Sequence, residues 1–142
     1  MNEEIQRRVG DVSVGEEIGN VSIPITLQRL VIEAGANRDF SLIHHDQKVA
    51  QATGAPDAYM NTFFIAGMFE RLLRKWMGAH GRLNKMGNLR MKIFNSVGDT
   101  ATFTGRVESI NTSSNQVDIA LTSATDNGIT VTADATVTLP DT

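Results

Sequence analysis

The chain reads as an α+β domain in which a curved antiparallel sheet wraps one long central helix. Three observations predict it. The C-terminal half carries three successive runs of apolar and polar residues in strict alternation, the period of half-buried strands. One segment in the middle of the chain begins apolar on every side, as a helix enclosed by other elements does. The order of the segments is strand, helices, strands.

Taken along the chain, Val21, Ile23, Ile25 and Leu27 suggest an N-terminal strand. Leu30, Val31 and Ala34 then predict a short helix ending near Gly35. Asp46 has the side chain of an N-cap, and the helix it opens would run through Val49, Ala50 and Ala52 to Gly54. The long helix is NTFFIAGMFERLLRKWMG, Asn61 to Gly78. It becomes amphipathic only after Glu70, so its first half is expected to be covered all round. Leu89, Met91 and Ile93 make a further strand that stops at Val97-Gly98-Asp99.

The alternating runs follow. Ala101, Phe103, Gly105 and Val107 share one face of the first, and Val117, Ile119 and Leu121 one face of the second. The third passes from Ile129 through Val131, Ala133, Ala135 and Val137 to Leu139. Asn111 to Asn115 and Asp126-Asn127-Gly128 are turn sequences, the latter suited to positive φ in a hairpin, so these strands form an antiparallel meander. A single helix enclosed by such a sheet is the arrangement called a hotdog; a generic α+β domain with a buried helix is the alternative. A lone sheet of about five strands leaves an open edge, which predicts pairing with a second copy or a related subunit.

Composition narrows the function. At 142 residues the chain fits one domain, spanning 1–142, able to bury about 70% of its unfolded surface. It has no cysteine, which excludes thiol catalysis and zinc–thiolate sites and suits a cytoplasmic location. MNEEIQRRVG mixes acids and bases without leading into an apolar segment, so it does not read as a secretory signal. The charge-free stretch from Ala58 to Phe69 falls short of the roughly 18 residues a membrane span needs. A net charge of −3 with scattered signs offers no basic face for nucleic acid.

The densest chemistry lies in RDFSLIHHD, Arg38 to Asp46, which holds two of the chain's three histidines. Asp39 and His44 would stand about 140° apart on a helix and on opposite faces of a strand, so they meet only if Phe40 to Ile43 is a bent loop. Phe40 and Ile43 would then be its apolar anchors. Spacing alone leaves open a solvated loop with no joint role. His44, His45 and Asp46 lack the i, i+4 spacing of a zinc helix, so no metal site is expected.

DFSLIHHD resembles the D-F-x-P-I-H-x-D segment of MaoC-like (R)-specific enoyl-CoA hydratases, which have the hotdog fold. Ala34-Gly35-Ala36, the helix to Gly54, the buried helix and Val97-Gly98-Asp99 follow in the family's order, so the resemblance covers most of the chain. DAYMNTFFIAGMFERLLRKWMG is similar, more narrowly, to the small MaoC-like subunit of actinobacterial hydratases acting on steroid side-chain enoyl-CoA thioesters. The resemblance implies that Asp39 and His44 activate one water for addition to a 2-enoyl-CoA, with His45 at a variable position. It implies a backbone amide at Asn61 or Thr62 as the donor to the enolate oxygen, and no cofactor beyond the CoA of the substrate. It also implies a homodimer or a heteromer with a related hotdog subunit. The chain departs from the family at Ser41, where asparagine is usual, at Leu42, where proline is usual, and at Asn61-Thr62, where many members have His-Gly.

Other residues carry alternatives. Asn61 is an N-cap or a site residue, Tyr59 and Met60 could line an acyl pocket or belong to the core, and Phe63 would border the substrate pocket. Glu70, the only carboxylate inside the long helix, would serve a hotdog acyl-CoA thioesterase or an ion pair. A non-catalytic acyl-binding subunit of a heteromeric hydratase is the remaining alternative. Arg71, Arg74 and Lys75, and Arg90 with Lys92, could face CoA phosphates or be ordinary surface cations, and Trp76 is expected to pack rather than stack on adenine.

Overall fold

The computed structural model describes residues 5–141; residues 1–4, part of the stretch read as unlike a signal, and residue 142 lie outside it. Five antiparallel strands form one sheet: β1 (Glu17–Pro24), β2 (Arg82–Met91), β3 (Thr100–Asn111), β4 (Gln116–Thr125) and β5 (Gly128–Thr138). Their spatial order is β1-β3-β4-β5-β2, so the predicted meander β3-β4-β5 is the centre and β1 and β2 are the edges. Three helices, α1 (Leu27–Ala36), α2 (Gln47–Ala52) and α3 (Thr62–Met77), lie between β1 and β2 in sequence. This is the hotdog arrangement, with α3 as its central helix.

The core forms where the alternation predicts it. Ile65, Phe69, Leu72 and Leu73 of α3 pack against Ala101, Phe103, Val107, Ile119, Leu121, Val131 and Val137 of the sheet. Phe69 meets Phe103 edge-on with ring centroids 5.1 Å apart. Each of these side chains larger than alanine contributes about 1.5 to 3 kcal/mol by leaving water. Gly105 also faces inward, where a Cβ would lie 2.7 Å from Ile18 Cδ1, so any side chain there would displace the end of Ile18 between β1 and β3. Trp76 is buried in this core, and its indole Nε1 donates to Glu16 Oε1 at 3.3 Å.

Several expectations change. β1 stops at Pro24, and Leu27 opens α1 instead of ending the strand, because Thr26 caps that helix by accepting from Arg29 N at 3.2 Å. α1 ends at Ala36, beside Gly35 as expected. β2 begins at Arg82 and ends at Met91, so Ile93, expected in this strand, lies beyond it with Lys92. In β5 a bulge opposite Ser123 and Ala124 turns Thr130 inward and leaves Ile129 exposed. The first half of α3 is not covered all round: Phe63 is 68% exposed, and Thr62 and Gly67 are exposed beside it. The five strands of one chain cover only one side of that half-helix.

No helix among the described residues is long and apolar enough to cross a membrane.

Candidate active site

Asp39 is placed by the way α1 ends. Arg38 N–H donates to Gly35 O at 3.2 Å and Asp39 N–H to Ala34 O at 2.8 Å, the paired bonds of a Schellman motif. Arg38 fills its left-handed position at φ 56°, where glycine is usual. The Asp39 carboxylate then starts the next turn, Oδ1 accepting from Ser41 N–H at 3.2 Å. A 3-10 turn over Leu42–His44 follows, and Asp46 accepts from Val49 N–H at 3.1 Å as the N-cap of α2, as its sequence position predicts.

This bent path brings His44 Nε2 to 3.1 Å from Asp39 Oδ2, a meeting that no regular element with this spacing allows. Ile43 anchors the loop against Tyr59 and Phe94, but Phe40 does not: its ring is 77% exposed. Backbone bonds and the Ser41–Asp39 turn hold the segment instead. Ser41 lies at φ −63°, ψ 129°, the extended conformation that a following proline would impose, so the loop keeps that shape with Leu42.

His44 is 5% exposed, and its Nδ1 lies 2.6 Å from the Tyr59 carbonyl oxygen. A carbonyl only accepts, so Nδ1 carries a proton and Nε2 is the nitrogen left to face Asp39. The Asp39 carboxyl is held below the usual carboxylate range first by the Ser41 amide. Partial burial opposes that shift, while the Asn61 amide and His44 add to it. His45 is exposed, and its side chain bonds to neither Asp39 nor His44.

Asn61 fills both roles left open by the sequence. Its Oδ1 accepts from Phe64 N–H at 2.7 Å as the N-cap of α3, and its Nδ2 donates to Asp39 Oδ2 at 3.3 Å. Ile65 N–H is taken by Asn61 O at 3.2 Å, so Thr62 and Phe63 are left at the helix end as amides with no intrahelical acceptor. These amides and the positive end of α3 favour negative charge at this point. A cleft of about 220 Å³ connects Asp39, His44, Asn61, Thr62 and Phe63, and Met91 also lines it.

Tyr59 is buried between His44 and Phe94, with centroids 5.5 Å and 4.5 Å away, so its ring is core as much as cleft wall. Phe63 stands at the mouth. Glu70 is outside the cleft and forms an i, i+4 ion pair with Arg74 at 2.7 Å. Arg71 and Lys75 are exposed. Sequence reasoning missed Met91, the Ser41 amide and the Tyr59 carbonyl; the last two are backbone groups with no side-chain signature. A groove of about 360 Å³ on the outer face of the sheet, with Lys85, Ser109, Asp118, Asp134 and Thr136 along it, contains no histidine or paired base. Among the described residues no three metal-ligating side chains cluster.

No protein-family model matches the chain. It is 34% identical over 82 residues to the 3-oxo-4,17-pregnadiene-20-carboxyl-CoA hydratase beta subunit of Mycobacterium tuberculosis. That match covers 58% of this chain and 63% of the relative, less than two thirds of its length. The structure is similar to a chain of the ChsH1-ChsH2 complex from Mycobacterium tuberculosis, with a TM-score of 0.84 and 26% identity over 90% of this chain and 98% of the other. A MaoC-like dehydratase shares the fold with a TM-score of 0.86 at 21% identity, over 94% of this chain and 42% of its own.

Proposed function

We propose that this chain, a MaoC-like hotdog protein, adds water to the double bond of a 2-enoyl-CoA thioester or catalyses the reverse dehydration. The observation that carries the reading is the 3.1 Å pairing of Asp39 with His44 in a cleft at the N-terminus of α3. A water held by Oδ2 and Nε2 is polarised by both. As its oxygen bonds to C3, the π pair moves through C2 onto the thioester oxygen, and one water proton passes to the Asp39–His44 pair. The pair returns a proton to C2, so the product gains one hydrogen and one hydroxyl and the site is restored. Each such acid or base is worth about 10² to 10⁴ in rate.

The enolate oxygen formed midway needs a donor, which we assign to the backbone amides at Asn61 and Thr62. A preorganised donor of that kind contributes about 2.7 to 4 kcal/mol. Every proton in this scheme has a protein group to carry it, so neither a metal nor a redox cofactor is required, and the cysteine-free chain suits the cytoplasm. Tyr59 and Phe63 would border the acyl group.

The functional unit in this reading is a pair of hotdog chains. The exposed half of α3 around Phe63 and the unpaired outer edge of β2 are surfaces that a second such subunit would cover. The similar chain from Mycobacterium tuberculosis was solved in a complex, which favours a related subunit over an identical one. That observation also sustains a second reading, in which this chain binds the acyl group or supports a partner that does the chemistry.

The test is absorbance-monitored hydration of a short-chain, a long-chain and a steroid side-chain enoyl-CoA by the protein alone. Turnover of any of them supports the hydratase reading, and the preferred substrate gives the acyl class. No turnover alone, together with turnover on adding a partner hotdog subunit that is unaffected by Asp39→Asn, supports the second reading.

A further inference from the structure

Six polar side chains are buried among the described residues, and they are not scattered. His44 and Asn61 are in the cleft; Asn95, Ser96, Ser123 and Thr130 lie behind it, each no more than 1% exposed. Burying such groups costs stability unless they are bonded, so a layer of four in an apolar core calls for a reason.

Thr130 is the extra residue of the β5 bulge, which pairs Ser123 with Val131 and Ala124 with Ile129. Its hydroxyl donates to Ser123 O at 3.1 Å and lies 2.9 Å from Ser123 Oγ, which closes the bulge. Asn95 Nδ2 reaches the same Ser123 Oγ at 3.5 Å. The Thr130 carbonyl accepts from both Lys92 N–H at 2.7 Å and Ile93 N–H at 3.2 Å. The bulge therefore grips the chain where it leaves β2.

That gripped segment in turn holds the strand beside the site. Met60 N–H donates to Asn95 O at 3.0 Å, Val97 N–H donates to Ala58 O at 2.9 Å, and Tyr59 bridges Ser96 in antiparallel register. Tyr59 O is the acceptor that fixes His44 Nδ1. Hydrogen bonds and the short backbone segments between them thus link the β5 bulge to the imidazole.

We propose that Thr130 and Asn95 are positioning residues that set the tautomer and orientation of His44 through the Ala58–Met60 backbone. Bulges recur next to active sites, where they re-aim groups, and a displacement of about 1 Å at a reacting group can cost about 10²-fold in rate. The catalytic consequence rests on the hydratase reading; the effect on His44 does not.

The test uses the full chain labelled with ¹⁵N-histidine, whose three histidines keep the imidazole spectrum assignable by single replacement. In the wild type His44 shows protonated Nδ1. In Thr130→Val and Asn95→Leu the His44 signals move toward an average of both tautomers, kcat falls up to about 10²-fold, and KM for the enoyl-CoA changes little. Thr130→Ser, which keeps the hydroxyl, retains the wild-type spectrum and rate. If the valine variant does not fold, Ser123→Ala removes the shared hydroxyl with a smaller change in packing and is read in the same way. Unchanged His44 signals in the folded variants, whatever their Tm, would overturn the proposal. Absence of turnover by the wild type, both alone and with a partner hotdog subunit, would sink the hydratase reading and leave the spectrum to judge the positioning role.

Discussion

The Tyr59 carbonyl oxygen lies 2.6 Å from His44 Nδ1, and this contact decides which face of the imidazole meets Asp39. With Nδ1 committed as a donor, only Nε2 can exchange protons with the carboxylate and with a water beside it. The nine-residue stretch that holds both Asp39 and His44 thus depends on a backbone group fifteen residues further along.

Asn61 joins the fold to the site, and two substitutions should separate those contributions. Asn61→Ala removes the cap of α3 and the bond to Asp39, costing about 1 kcal/mol of stability and lowering hydration. Asn61→Asp keeps an oxygen for Phe64 N–H but sets a second carboxylate against Asp39. Its urea midpoint should exceed that of the alanine variant, while its hydration rate at neutral pH remains below wild type.

Asp39 should contribute to stability only while it is ionised. Its folded pKa is lowered from 3.8, chiefly by the Ser41 amide, so the carboxylate binds its proton less readily in the native state than in the unfolded chain. That contribution is present above about pH 4 and is lost as pH falls through the lower, folded value. Asp39 is 31% exposed, so the effect is small. Urea titrations at acid and neutral pH should show wild type losing more stability on acidification than Asp39→Asn. Equal losses would mean the Ser41 contact does not select the charged form.

Leu42 stands at the first position of the 3-10 turn, after a residue already extended at φ −63° and ψ 129°. Proline fits both conditions. Leu42→Pro should therefore raise stability by about 0.4 to 1 kcal/mol through the unfolded state, with hydration retained. A lowered Tm would show that the leucine side chain or its N–H makes a contribution of its own.

How much of this was legible in the sequence depended on what each residue type records. Val117, Ile119 and Leu121 announced β4 because a strand with one buried face must alternate. Thr130 and Ile129 misled because a bulge inverts the alternation without any change in composition. The all-round apolar start of α3 overstated its cover within one chain: Phe63 faces solvent here. Asp39 and His44 have a spacing that no periodicity rewards, so the family resemblance singled them out and the Schellman turn explained them. The Ser41 amide and Tyr59 carbonyl were out of reach, since any residue type supplies the same backbone group.

The most direct measurement is steady-state hydration of the enoyl-CoA that the wild type turns over, compared among Asp39→Asn, His44→Ala and His45→Ala, in whatever assembly is active. The Asp39 and His44 substitutions should each lower kcat/KM by about 10²-fold or more, and His45→Ala should leave it near the wild-type value. Full activity in Asp39→Asn would contradict the account.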